Sequence, residues 1–170
     1  MKNLEKRIIV VGVSASGKST FARELSEKVG IPATYMDAIM WKPGWEYIGD
    51  EETTKRLKKL SITSMWLIEG YISTMARTTV FERADTIIYL DYSPVIASWR
   101  YIRRWWKHRN NARPELPGSP EKLSWEFLKR VWYKKEAITL NKFLAKVKNQ
   151  KKIIVLHSPT EAQKFLNKMV

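Results

Sequence analysis

Residues Gly12-Val13-Ser14-Ala15-Ser16-Gly17-Lys18-Ser19-Thr20 fit the spacing G-x-x-x-x-G-K-[ST], with Gly12, Gly17, Lys18 and Ser19 in the fixed places. The chemistry such a segment suits is the holding of a phosphate chain. Glycines let the turn wrap closely, successive backbone N–H groups point at phosphate oxygens, and the following helix adds its positive end. Gly12, Ser14, Ala15, Ser16, Gly17, Lys18, Ser19 and Thr20 are therefore expected to bind the phosphates of ATP. Lys18 would reach the outer phosphates and act in catalysis, and the Ser19 hydroxyl would hold Mg²⁺. The apolar run Ile8-Ile9-Val10-Val11 in front and the helical pattern of Phe21 and Leu25 behind supply the strand and helix that the motif needs.

Three carboxylates follow apolar runs in the same way: Asp37, Glu69 and Asp91. An acid at such a point can hold Mg²⁺ through water, orient an attacking hydroxyl or bind a substrate hydroxyl. Glu69 is read as the Mg²⁺ partner, and Gly70 beside it would permit close approach of a ligand. Asp37 is read as the group that orients or deprotonates a hydroxyl acceptor. For Asp91, capping the helix near Pro94 is at least as good a reading. Trp41-Lys42-Pro43-Gly44-Trp45 places two tryptophans around a turn, as a stacking lid over a base or sugar or as a pin for a mobile lobe.

From Trp99 to Arg113 the chain reads WRYIRRWWKHRNNAR. Arg100 and Arg104 share a helical face, Arg103 and Lys107 form a neighbouring row, and Arg109 and Arg113 sit in the loop beyond. Phosphoryl transfer needs cations around the moving group, and a flap bearing them also excludes water. Nucleic-acid binding by basic residues interleaved with Trp99, Trp105 and Trp106 is the competing reading. An amphipathic helix with core tryptophans is the third. His108 and His157 have no partners at metal-ligand spacing. His157 is placed beside the crevice, near a nucleotide base.

Behind these residues stands an alternation of strands and helices. Strands are expected at Ile8–Val11, Ala33–Met36, Trp66–Ile68, Thr86–Leu90 and Ile153–Leu156. Helices are expected at Thr20–Val29, Glu51–Ser61, Pro94–His108, Lys122–Tyr133, Ala137–Val147 and Thr160–Met169, the last capped by Thr160. Five short apolar strands joined through helices imply an α/β fold with an open parallel sheet covered on both faces. Ligands of such sheets bind beyond the strand carboxyl ends. At 170 residues and 44% hydrophobic the chain suits a single domain, 1–170, with a lid segment at about 100–120. It has no cysteine, which excludes disulfides, thiolate metal sites and cysteine nucleophiles. No segment approaches the length of a membrane span and no signal peptide is read, so a cytoplasmic protein without a membrane partner is expected. The formal charge of +14 points to polyanions: nucleotides, nucleic acid or an anionic surface.

Several blocks, in order, resemble the bacterial DNA topology modulation proteins, small P-loop proteins related to adenylate kinase. They are GVSASGKST (12–20), Asp37-Ala38 through KPGW (42–45), WLIEGY (66–71), ADTIIYLD (84–91), RPELPGSPEKLSWEFL (113–128) and IIVLHS (153–158). The resemblance covers nearly the whole chain. It implies a three-layer P-loop nucleoside triphosphate hydrolase fold of the nucleoside monophosphate kinase type, with a short arginine-bearing lid. It further implies that Arg100 lies near adenine, that Arg104 meets the phosphates, that Arg109 and Arg113 return from the lid, and that Ser158 and Pro159 form the turn passing the adenine. Two departures stand out. The family's Asp-Gly-Asn-Tyr is Glu69-Gly70-Tyr71-Ile72 here, and its Gly-Cys-Pro-Glu is Gly118-Ser119-Pro120-Glu121, a loss of a thiol expected to change little else. Arginines on the acceptor side reduce to Arg77 and Arg83. The combined expectation is ATP- and Mg²⁺-dependent phosphoryl transfer to a small molecule, such as a nucleoside or nucleotide. The alternatives are an ATP-dependent DNA-binding regulator and a slow NTPase. The sequence leaves monomer and dimer equally open.

Overall fold

The computed structural model describes residues 5–70, 80–113, 115–133, 135–147 and 151–169. The predicted Tyr71, Ile72 and Arg77 lie outside them. Five parallel strands form the central sheet: β1 (Arg7–Gly12), β2 (Ala33–Tyr35), β5 (Trp66–Glu69), β6 (Thr86–Leu90) and β7 (Lys152–Leu156), in the spatial order β2-β5-β1-β6-β7. Helices α1 (Lys18–Val29), α2 (Met36–Met40), α3 (Asp50–Ser61), α4 (Pro94–His108), α5 (Trp125–Trp132), α6 (Lys135–Val147) and α7 (Pro159–Asn167) connect or follow them, and Trp41–Lys42 (β3) pairs with Glu46–Tyr47 (β4) in a small hairpin.

The period of two along β1 sorts its side chains onto both faces of the sheet. Ile9 and Val11 join Ile68, Ile87 and Tyr89 beneath Leu57 of α3 and Leu140 and Leu144 of α6. Ile8 and Val10 join Leu67, Ile88 and Leu90 beneath Phe21 and Leu25 of α1 and Phe165 and Leu166 of α7. Buried on both faces, β1 reads as an unbroken apolar run. From central β1 the chain passes to the edge strand β2, then returns through β5 and across β1 to β6 and β7, and the crevice at the carboxyl end of β1 is where ligands enter such folds.

Local chemistry moves several predicted boundaries. Met36 does not extend β2. With Ile39 and Met40 it forms an i, i+3, i+4 apolar set folded onto the core, so Asp37 stands in the first turn of α2. α5 begins at Trp125 because the Ser124 hydroxyl accepts the Phe127 N–H, while the Tyr101 hydroxyl holds residues 122–124 extended by bonding Lys122 O and Ser124 N. α7 is capped by Ser158, whose hydroxyl accepts the Glu161 N–H, and not by Thr160; Pro159 occupies the first turn. Likewise Ser93, and not Asp91, caps α4.

Candidate functional site

The carboxyl ends of the strands open into a cleft of about 1420 Å³ lined by Ser14, Ala15, Gly17, Lys18, Ser19 and Thr20 of the phosphate loop. Two small molecules fit such a volume. Gly12 lies beneath the loop, where a Cβ would meet the Leu90 carbonyl oxygen at 2.7 Å. Ala15 has φ 62° and Gly17 φ 94°, and Ser16 N donates to Val13 O (3.1 Å), closing the loop as a tight turn. Lys18 is buried and its Nζ donates to Val13 O at 2.9 Å.

Across the loop stands Glu69, at the end of β5 and only 3% exposed. Its Oε1 accepts from the Ser19 hydroxyl at 3.0 Å, while its Oε2 is buried with no hydrogen-bond partner. Burial pushes the Glu69 carboxyl up to about 7; Lys18 pulls against that and Asp37 adds to it. An unpartnered carboxylate oxygen beside a hydroxyl is a donor set of the hard-oxygen kind that Mg²⁺ takes, so Ser19 and Glu69 fit the metal expected of them. Gly70, with φ 142°, lines the cleft, but the space a Cβ would need is filled by the Met36 side chain (2.5 Å). Its lack of a side chain admits α2 where a ligand was expected.

The arginines divide. Arg100 donates to Ser16 O, lies against Gly17 and stands 5.3 Å from the Tyr92 ring centroid. Arg100 thus packs on the phosphate loop itself. Arg104 and Arg113 both reach Oε1 of Glu121, at 3.1 and 2.7 Å, and Arg113 also donates to Asp37 Oδ2 at 3.2 Å. Glu121 is almost fully buried, so one carboxylate draws arginines of α4 and of the loop 109–124 to the half-exposed Asp37. Arg109 stands apart, its guanidinium 4.1 Å from the Trp106 ring centroid.

The two tryptophans of the 41–45 segment line the cleft at 5.8 Å between ring centroids. Trp45 is pinned as well: its Nε1 donates to Pro120 O (2.9 Å), and the Ser119 hydroxyl accepts from Gly44 N and Trp45 N at 3.1 and 3.3 Å. Gly44 N also donates to Gly118 O at 3.1 Å. Trp45 thus ties the hairpin to the 118–120 segment. Ser119, expected to matter little, supplies the oxygen on which the hairpin rests.

Glu136, in the first turn of α6, was not singled out by sequence. Its carboxylate accepts from Ser14 N (2.7 Å) and the Ser14 hydroxyl (3.0 Å), with Arg130 Nε 3.5 Å away. The signal was hidden because α6 was read as starting at Ala137, leaving Glu136 in a linker. Glu121 lies in the segment 113–128 that carries the resemblance, but no spacing there marks a buried partner. Pro159 lines the cleft; Ser158 serves as the α7 cap, and His157 Nδ1 lies 3.7 Å from Asp91 Oδ2.

No model of a known protein family matches the chain, and no curated protein does. Solved structures do. A gluconokinase from Sinorhizobium meliloti 1021 is 16% identical with a TM-score of 0.57, over 99% of this chain and 95% of that one. A sugar kinase from Janibacter sp. HTCC2649, in an unliganded structure, is 17% identical with a TM-score of 0.55, over 97% of this chain and 92% of that one. The likeness is one of fold, that of the P-loop kinases.

Proposed function

We propose that this chain is an ATP- and Mg²⁺-dependent kinase that transfers a phosphoryl group to a hydroxyl of a small molecule. The observation that carries this reading is the Ser19–Glu69 pair with its unpartnered Oε2, set behind Lys18 in the same cleft as Asp37. Bound Mg²⁺ would neutralise charge on the phosphate oxygens of ATP. The loop amides and Lys18 bind the phosphates, with Ser19 and Glu69 as the metal's protein partners. Arg100, Arg104 and Arg113 place positive charge around the transferred group. Asp37 takes the proton of the acceptor hydroxyl as its oxygen forms a bond to the γ-phosphorus and the bond to the ADP oxygen breaks. Trp41 and Trp45 offer an aromatic wall for the flat face of a sugar or nucleoside. The loop 109–124 acts as the lid. The names of the fold relatives, a gluconokinase and a sugar kinase, agree with a hydroxyl acceptor. The resemblance to the DNA topology modulation group agrees at the level of a P-loop kinase-like protein.

The test is transfer of label from γ-labelled ATP, with Mg²⁺, across a panel of sugars, sugar acids, polyols, nucleosides and nucleotides. A labelled product that depends on one hydroxyl acceptor, and is lost by at least about a hundredfold in a folded Lys18→Ala variant, supports the reading. Tight ATP binding with water as the only acceptor replaces it with the nucleotide-dependent regulator, for which DNA affinity would change with ATP. Normal turnover by Lys18→Ala would sink it.

A further inference from the structure

Helix α4 has two working faces. Arg100, Arg104 and Lys107 line the cleft, and Ala97 and Tyr101 are buried. Val95, Trp99, Ile102 and Trp106 follow the spacing i, i+4, i+7, i+11, which sets them in one stripe on the opposite side. All four are exposed, at 63%, 64%, 43% and 66%. Amphipathic helices turn such a stripe into the core; this one turns it to solvent. Beside α4, joined to it by the stacked Tyr101 and Phe127 rings (4.3 Å), α5 also exposes Trp125 and Trp132, with exposed Lys129 between them.

The charge around the stripe selects what covers it. Between Pro94 and His108 there is no acidic residue, and exposed Arg103, Lys107 and Arg109 border the apolar row, Arg109 lying directly over Trp106. Two copies pairing along this helix would bring those cations together with no acid on α4 to meet them. Nucleic acid satisfies the cations but offers no bed for Val95 and Ile102. A surface that is anionic at its rim and apolar beneath it satisfies both.

We propose that α4 is a peripheral docking helix for an anionic lipid surface, its Val95–Trp106 stripe seated at the boundary between headgroups and acyl chains. Tryptophan favours that boundary, and the bordering arginines and lysine meet anionic headgroups. No helix among the described residues is long and apolar enough to cross a membrane, and none needs to. The attachment is in-plane and salt-sensitive. It does not depend on the kinase reading: none of the four stripe residues lines the cleft, although the bordering Arg103 and Lys107 also face it.

Co-sedimentation with phosphatidylcholine vesicles, with and without about one-third phosphatidylglycerol, tests it. The wild-type chain is expected to bind the anionic vesicles and to release them at high salt, with a blue shift of tryptophan emission on binding. Trp99→Gln/Ile102→Gln, at two positions that do not line the cleft, is expected to lower vesicle affinity by about tenfold or more while its ATP binding and circular dichroism match wild type. Equal binding to neutral vesicles, no binding to either, or binding that the double variant keeps would each overturn the proposal. So would a wild-type dimer in sedimentation that the double variant dissolves, or DNA affinity lost in that variant without vesicle binding.

Discussion

Arg113 and Glu121 meet at 2.7 Å with side chains 8% and 3% exposed, both within the loop 109–124. Arg104 of α4 shares the same carboxylate oxygen. A buried charge is tolerable only when paired, so the loop's fold and the placement of two cleft arginines are one problem with one solution.

Glu121→Gln is therefore expected to cost about 3 kcal/mol of stability, because two guanidiniums lose their shared counter-charge. Phosphoryl transfer should fall further than the loss of folded protein explains, as Arg104 and Arg113 are no longer held. Urea unfolding, together with turnover normalised to the folded fraction, checks both.

The pH response of Glu69 has a definite sign. Burial lifts its carboxyl from an ordinary 4.5 to about 7, so the folded chain holds a proton there that the unfolded chain has lost. The resulting stabilisation is complete below about 4.5 and is lost as pH rises through about 7. Glu69→Gln, neutral at every pH, should make the metal-free protein more stable than wild type at pH 8 by about 1–3 kcal/mol. The same variant should bind Mg²⁺ and turn over poorly. Wild-type Mg²⁺-dependent activity should rise across neutral pH as the carboxylate forms. Melting curves at pH 5 and 8, with and without Mg²⁺, give the readout.

Ser119→Ala leaves Gly44 N and Trp45 N without the oxygen they share. The expected cost is about 1–2 kcal/mol, with a red shift of Trp45 emission and a raised KM for the acceptor. A change confined to the KM for ATP would contradict this assignment.

Glu136→Ala removes the acceptor of both Ser14 N and the Ser14 hydroxyl. The phosphate loop should lose order while the sheet stays intact, weakening ATP binding by about 1–2 kcal/mol, roughly tenfold. Isothermal titration with ATP and with a non-hydrolysable analogue measures it.

The parallel sheet and the phosphate loop were legible in the sequence because each rests on local rules. Ile8–Val11 is apolar on both faces, and the spacing from Gly12 to Ser19 is set by phosphate geometry. Glu69 was legible as an acid at a strand end, although its buried, unpartnered Oε2 was not. What escaped depends on contacts between distant segments. The Glu121 pairings need α4 and the loop to fold together, and Glu136 reaches Ser14 across 122 residues. The stripe on α4 was visible as periodicity, but periodicity cannot say whether an apolar face turns inward. Trp99 and Trp106 were open to core, lid and nucleic-acid readings, and the core reading fails because both are about two-thirds exposed.

The hydrogen bonds from Gly44 and Trp45 to the 118–120 segment carry a mechanical consequence. Two-walled clefts ordinarily open like a book, each cover swinging by itself. Here the covers are stitched along their outer margin. While those bonds hold, any movement of the hairpin must carry the 118–120 segment with it.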